Sequence, residues 1–166
     1  MNKVSLKLQT MVKIIITIIL TAMFVITMAQ IIGRFVFFYS LPWSEELAVY
    51  LFLWLIFLAA SISIKEGNEI RIDLINFKDE KKNELLMLFR NIAALAVILV
   101  FLVSSLTLTQ NAFTYAQLSS SLRISMGFIY LAMPIGFILM GLETFLNIIN
   151  NINKIRGIKV QTAERG

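Results

Sequence analysis

The chain contains no cysteine and no histidine. Disulfides, thiolate nucleophiles, Cys/His zinc sites, haem-ligating histidine and a Ser-His-Asp triad are therefore excluded together. Proline is almost absent as well, with only Pro42 and Pro134. Long helices thus meet few breakers. Charge is scarce: 15% of the 166 residues are Asp, Glu, Lys or Arg, while 58% are hydrophobic. Soluble chains average about 45–50% apolar and about 25% charged. A chain of this size could not hide so much apolar surface from water. The composition specifies an integral membrane protein and leaves little room for a soluble enzyme.

What charge there is punctuates four apolar stretches. Twenty uncharged residues run from Ile14 to Gly33, and eighteen from Leu47 to Ile64. The third stretch covers Asn91 to Gln110, and the fourth begins after Arg123 and continues to Ile149. A spanning helix needs about 20 residues. Backbone polar groups in hydrocarbon must be satisfied within the segment, so each stretch is expected to be a helix. The first is too long for the apolar core of a signal peptide, about 7–15 residues, and is read as a membrane helix. The expected fold is all-α, with a four-helix membrane domain over 1–150. Its helices fall at about 12–36, 44–65, 85–112 and 125–150, and a loose, polar, basic tail follows over 151–166.

Four helices put the N-terminus, the 65–90 loop and the C-terminus on one side. That side carries 13 of the 15 Lys and Arg residues; Arg34 and Arg123 alone lie opposite. By the positive-inside rule both termini are cytoplasmic. The net charge of +5 is accordingly read as topology and affinity for anionic lipid, not for nucleic acid. Lys13, Lys65, Arg71 and Arg90 are the candidate lipid contacts. Ile70, Ile72, Leu74, Ile75 and Phe77 alternate with polar residues and suit a short interfacial segment in the cytoplasmic loop.

Few groups could carry chemistry. No charged residue falls near the middle of a helix, and Glu143 comes nearest, a turn or two from the cytoplasmic end of the fourth. That absence argues against an autonomous pump and against an intramembrane acid/base enzyme. Thr17, Thr21, Thr27 and Gln30, with Ser104, Ser105, Thr107, Thr109 and Gln110, either line a path or bond their own helices. Glu66, Glu69 and Asp73 supply hard oxygen ligands of the calcium type. Lys65 and Arg71 oppose that use, and no metal site or cofactor is assigned. The fourth helix repeats every seven residues, with Gly127, Pro134 and Gly141 on one stripe and Met126, Met133 and Met140 beside it. Such a stripe serves either a partner or internal packing. At the outer start of the second helix, Ser44 suits an N-cap, and Glu45 and Glu46 complement the positive helix end. Alternatively Trp43, Glu45 and Glu46 meet another protein, and Arg34 and Arg123 are further candidate contacts for acidic partners.

Several motifs, taken in order, resemble a known family. They are Gly33-Arg34-Phe35-Val36-Phe37, then Pro42-Trp43-Ser44-Glu45-Glu46, Leu53-Trp54-Leu55, the elbow Gly67-Asn68-Glu69-Ile70-Arg71-Ile72-Asp73, and Ser121-Leu122-Arg123 leading to Met133-Pro134-Ile135-Gly136. Together they are similar to the small, DctQ-type membrane subunit of TRAP (tripartite ATP-independent periplasmic) transporters. The chain departs from that pattern at Glu69, where His is frequent, and at Ser125, where Pro is frequent. The resemblance implies an accessory subunit in a bacterial cytoplasmic membrane, without a catalytic centre or cofactor. Its partners would be a large membrane subunit that takes up organic acids on an ion gradient, usually sodium, and a periplasmic substrate-binding protein. The rival expectation is a small four-helix transporter working alone as an oligomer.

Overall fold

A computed structural model describes residues 3–39, 41–66 and 80–163, with the side chains of 3–8, 65–66, 80–82 and 156–163 left out of account. The architecture is all-helical: α1 (Lys3–Val36), α2 (Pro42–Glu66), α3 (Glu80–Thr114), a single-turn α4 (Met126–Tyr130) and α5 (Ala132–Ala163). Among the described residues four spans are long and apolar enough to cross a membrane, counting α4 and α5 as one: Gln9–Val36, Pro42–Ile64, Asn83–Thr114 and Met126–Ile155.

Every helix runs further than the apolar pattern alone suggests. The largest difference is at the C-terminal end, where the expected loose tail is helical to Ala163. Residues 151–163 contain no proline and one glycine, so nothing local stops the helix. The interfacial segment at 70–77, Arg71, and the carboxylates Glu69 and Asp73 lie outside the described residues.

Pro134 does not kink the fourth span at its own position. The interruption falls three residues earlier, at Leu131 between α4 and α5. Pro134 then sits in the first turn of α5, where a missing N–H costs little. Leu131 remains tied on both sides: its N–H donates to the Gly127 carbonyl at 3.0 Å, and its carbonyl accepts from Ile135 at 3.2 Å.

The helices form a row, in the order α1–α2–α5–α3. Among the described residues α1 packs along α2 and touches α5 through a Gln9–Glu143 hydrogen bond, while α5 packs between α2 and α3, whose backbones do not come close. Phe137 of α5 marks the middle of this row. It meets Phe57 of α2 edge-on at 5.4 Å and stacks on Phe101 of α3 at 5.8 Å. Against α3 the register is antiparallel, running from Phe101–Phe137 to the ion pair Glu84–Lys154 at 3.7 Å. Against α2 it is parallel, from Tyr50–Met126 to Phe57–Phe137.

The interior is small and polar, whereas large apolar side chains face outward. Ser44, Ser61, Asn91, Ser105, Thr109, Glu143 and Thr144 are buried, and Phe24, Phe89, Val100, Val103 and Phe145 are exposed. This inversion is expected where the surroundings are lipid: large apolar groups gain nothing by leaving it, and small residues let helices approach. On α3 the seam facing α5 repeats every seven residues as Asn91, Ile98, Ser105 and Ala112, all buried. The accessible surface of 11798 Å² exceeds the roughly 8,300 Å² expected of a compact soluble chain of this mass.

Two glycines of α5 test this packing in opposite directions. A Cβ on Gly136 would lie 2.6 Å from Phe57 Cβ and 3.1 Å from the Phe57 carbonyl oxygen. A Cβ on Gly141 would meet only Ile98, at an ordinary 3.7 Å. Gly136→Ala is expected to destabilise the chain by about 1–3 kcal/mol. Gly141→Ala is expected to be neutral or to stabilise by up to about 1 kcal/mol through helix propensity. Thermal unfolding of both variants in one detergent measures the order, and the reverse order would disprove the α2–α5 register.

Candidate functional site

The N-terminal end of α2 gathers most of the candidate polar residues. Pro42 opens the helix, its fixed φ suiting the first helical position. Ser44 is therefore already inside the helix rather than at its cap. It is buried, and its hydroxyl donates back to the Leu41 carbonyl at 2.7 Å. The next two side chains leave the helix about 100° apart, because successive residues turn by that angle. Glu45 turns towards α1 and accepts a hydrogen bond from Gln30 Nε2 at 2.9 Å. Glu46 turns the other way, towards the loop between α3 and α4.

That loop is built around the Glu46 carboxylate. Oε1 accepts the backbone N–H of Ser120 at 3.0 Å, and Oε2 accepts those of Ser121 and Leu122, each at 2.9 Å. The Tyr50 hydroxyl, one turn along α2, also donates to Glu46. Three consecutive amides converging on one anion form a backbone nest, and bonds to an ionised acceptor are the stronger kind. The loop closes on itself as well. Ser119 N–H donates to the Ile124 carbonyl at 2.9 Å, Ile124 N–H to the Ser119 hydroxyl at 3.2 Å, and Met126 N–H to the Gln117 carbonyl at 2.8 Å. Ala116 and Arg123 take left-handed backbone angles, with φ of 47° and 55°. The first lies just past the end of α3, where that conformation commonly ends a helix. Ser125 caps α4, its hydroxyl accepting the Gly127 N–H at 3.3 Å. The serine at this position thus gives α4 a hydrogen-bonded start.

The other candidates fall into two groups. Trp43, Arg34 and Arg123 are exposed at this same end, and neither arginine has an ion pair among the described residues. Beside Arg34, the turn after α1 carries Phe38, which is 90% exposed and left-handed with φ of 52°. The helix-four stripe faces its own chain instead. Gly127 is buried where a Cβ would lie 2.6 Å from the Phe113 ring, Gly141 faces Ile98, and Pro134 is buried. These positions are occupied by internal packing. Lys13 and Arg90 are exposed near the opposite end. Lys65 belongs to α2, but its side chain, like that of Glu66, lies outside the described residues.

The hydroxyls suspected of lining a path mostly bond their own helices. Thr17, Thr21, Ser104, Thr107 and Thr109 each donate to the carbonyl four residues earlier, and Ser105 to that three earlier. Glu143 is buried and accepts from Gln9 Nε2 of α1 at 2.8 Å. That contact sets Glu143 level with the start of α1's apolar stretch, one turn short of Lys13. The space beside it, between Gln9, Val12, Ser61, Ile62, Leu139 and Glu143, is about 10 Å³, too small for a solute. A larger open recess of about 560 Å³ runs along α1, lined by Leu20, Thr21, Met23, Phe24 and Thr27. No group of three metal-ligating side chains occurs among the described residues. The Glu46–Tyr50 pair was readable from the sequence as an i, i+4 contact. Its loop partners are main-chain groups and carry no residue signature.

The sequence matches the family described as tripartite ATP-independent periplasmic transporters, DctQ component, over residues 23–154. It is 32% identical over 108 residues to the isethionate TRAP transporter permease protein DctMQ of Oleidesulfovibrio alaskensis, covering 61% of this chain. It is 33% identical over 121 residues to the sialic acid TRAP transporter permease protein SiaT of Haemophilus influenzae, covering 72% of this chain. The matched regions span 16% and 19% of those two proteins.

The nest predicts a local effect of one substitution. Glu46→Ala leaves three amides without their acceptor, and a hydrogen bond to a charged group contributes about 1.5–3 kcal/mol. Hydrogen exchange at Ser120, Ser121 and Leu122 is expected to quicken about 10- to 100-fold, while Glu45→Ala leaves those amides unchanged. Equal protection in both variants would show that the carboxylate does not hold the loop.

Proposed function

The chain belongs to the DctQ component family of the TRAP transporters, and on that premise we propose that it braces a large membrane subunit and extends the surface on which a periplasmic binding protein lands. It is a multi-pass protein of the bacterial inner membrane and a small permease component of a transporter. The finer reading is secondary uptake of an organic acid coupled to an ion gradient, with sodium as the coupling ion. The relatives carry isethionate and sialic acid in their names, and both compounds are organic acids.

The observation that carries the bracing role is the open row of helices. Its interior is packed with small residues and with polar groups that mostly bond their own helices, and the space beside the buried Glu143 is too small for a solute. Its margins are long and apolar: along α1, Ile14, Ile18, Val25 and Ile32 are all exposed, and α3 exposes Val97, Val100 and Val103. Such a body supports a neighbour more readily than it conducts a solute. In this reading the end bearing Pro42 and the 115–125 loop faces the periplasm. Trp43, Glu45, Arg34 and Arg123 then edge the landing surface, while Lys13, Lys65, Arg71 and Arg90 meet anionic lipid on the cytoplasmic side.

The rival, transport by this chain alone as an oligomer, requires an ionisable group on a solute path. Glu143 is the one buried carboxylate within the described spans, and it is closed in by Gln9. A tagged chain purified from native membranes in mild detergent is expected to bring down a larger polytopic protein, identified by mass spectrometry. Uptake by the purified chain alone in liposomes, with no such protein recovered, would favour the rival.

A further inference from the structure

Glu46 spends its carboxylate on the chain's own backbone, which raises the question of what so firm a hold on one short loop achieves. We propose that Glu46 is a positioning residue that fixes the 117–125 loop so that Arg123 is presented from a fixed backbone position as a cationic contact for a carboxylate of the periplasmic binding protein. This rests on the docking role proposed above and assigns it to one side chain and its support.

Three observations carry the assignment. Arg123 is bracketed by restrained backbone on both sides. Leu122 N–H is held by Glu46, and Ile124 is held through both its N–H and its carbonyl by Ser119. Arg123 itself takes φ of 55°, a conformation rarely kept by a large side chain unless the surroundings impose it. Its side chain is exposed and has no hydrogen bond or ion pair among the described residues. The loop thus spends four backbone hydrogen bonds to side chains and a strained residue on an arginine that serves nothing within the described chain.

The chemistry of the occupant follows from the charges around it. The nearby acids are engaged internally, Glu45 by Gln30 and Glu46 by the loop, so neither competes for the guanidinium. A guanidinium carried on a fixed backbone matches a planar carboxylate through two parallel hydrogen bonds. A lipid phosphate needs no such fixed presentation, because mobile headgroups adapt to mobile side chains. A docking protein does need it, since misplaced charge costs encounter rate and register.

The test uses the intact membrane complex in nanodiscs, titrated with the purified binding protein from the same organism. Arg123→Ala is expected to weaken binding about five- to tenfold and to flatten its salt dependence. Glu46→Gln, which keeps the shape but removes the anion, is expected to weaken it about three- to fivefold with unchanged complex yield. The double variant should be no weaker than Arg123→Ala, because the two residues act through one contact. Additive losses, or a Glu46→Gln effect on complex yield alone, would overturn the assignment. If Glu46→Gln does not assemble, Tyr50→Phe removes one donor to the same carboxylate and is expected to reproduce the effect more weakly. An Arg123→Ala loss seen with phosphatidylglycerol nanodiscs but absent with phosphatidylcholine alone would assign Arg123 to lipid instead. Failure of the wild-type complex to bind at all would refute the docking role itself, whereas wild-type binding with a silent Arg123→Ala refutes only this assignment.

Discussion

In a bilayer the hydrophobic effect does not press helices together, because hydrocarbon outside is as apolar as any core inside. Helices associate where their surfaces allow close approach and where polar groups find partners. Each feature of this chain's interior answers that constraint. Gly136 lets Phe57 sit against α5. Ser105, Thr109 and Thr144 occupy buried seams by bonding their own helices. Glu143, too polar for lipid, is turned inward and met by Gln9. The row of helices follows, since α2 packs between α1 and α5, and α5 between α2 and α3.

The same constraint explains how much could be read without coordinates. Span number and approximate limits follow from charge spacing, because the cost of ions in hydrocarbon is large and local. Helix ends beyond the membrane were less legible. Past the apolar stretch that closes at Ile149 no charge spacing sets a limit, and only the lack of breakers extends α5 to Ala163. The seven-residue stripe of Gly127, Pro134 and Gly141 was visible, but a stripe does not name the surface that meets it. Phe113 and Ile98 of the same chain meet two of its members. The complementary stripe on α3 is harder to notice, because Asn91, Ile98, Ser105 and Ala112 share neither size nor polarity.

The adjacent carboxylates show what sequence proximity hides. Glu45 and Glu46 look like one acidic feature suited to a helix start. One turn angle separates them into ties to different neighbours, α1 for the first and the α3–α4 loop for the second. The second could not be anticipated from side-chain chemistry, since its partners are the amides of Ser120, Ser121 and Leu122. Any sequence that lets those amides converge would serve equally well. Ser125 is the converse case: a single residue whose hydroxyl supplies a capping bond that an imino ring could not.

Helices laid side by side make a body with unequal stiffness. Along the axes, backbone hydrogen bonds and the interlocked rings of Phe57, Phe137 and Phe101 resist sliding. Across the axes each seam is a single line of contact, so the sheet can flex like a slatted blind when the surrounding bilayer curves. The Glu45 and Glu46 ties stitch the slats at one end, and the Gln9–Glu143 bond and the Glu84–Lys154 ion pair stitch them towards the other. The three backbone bonds to Glu46 make the edge that carries Arg123 the more firmly stitched of the two, so flexing leaves it level.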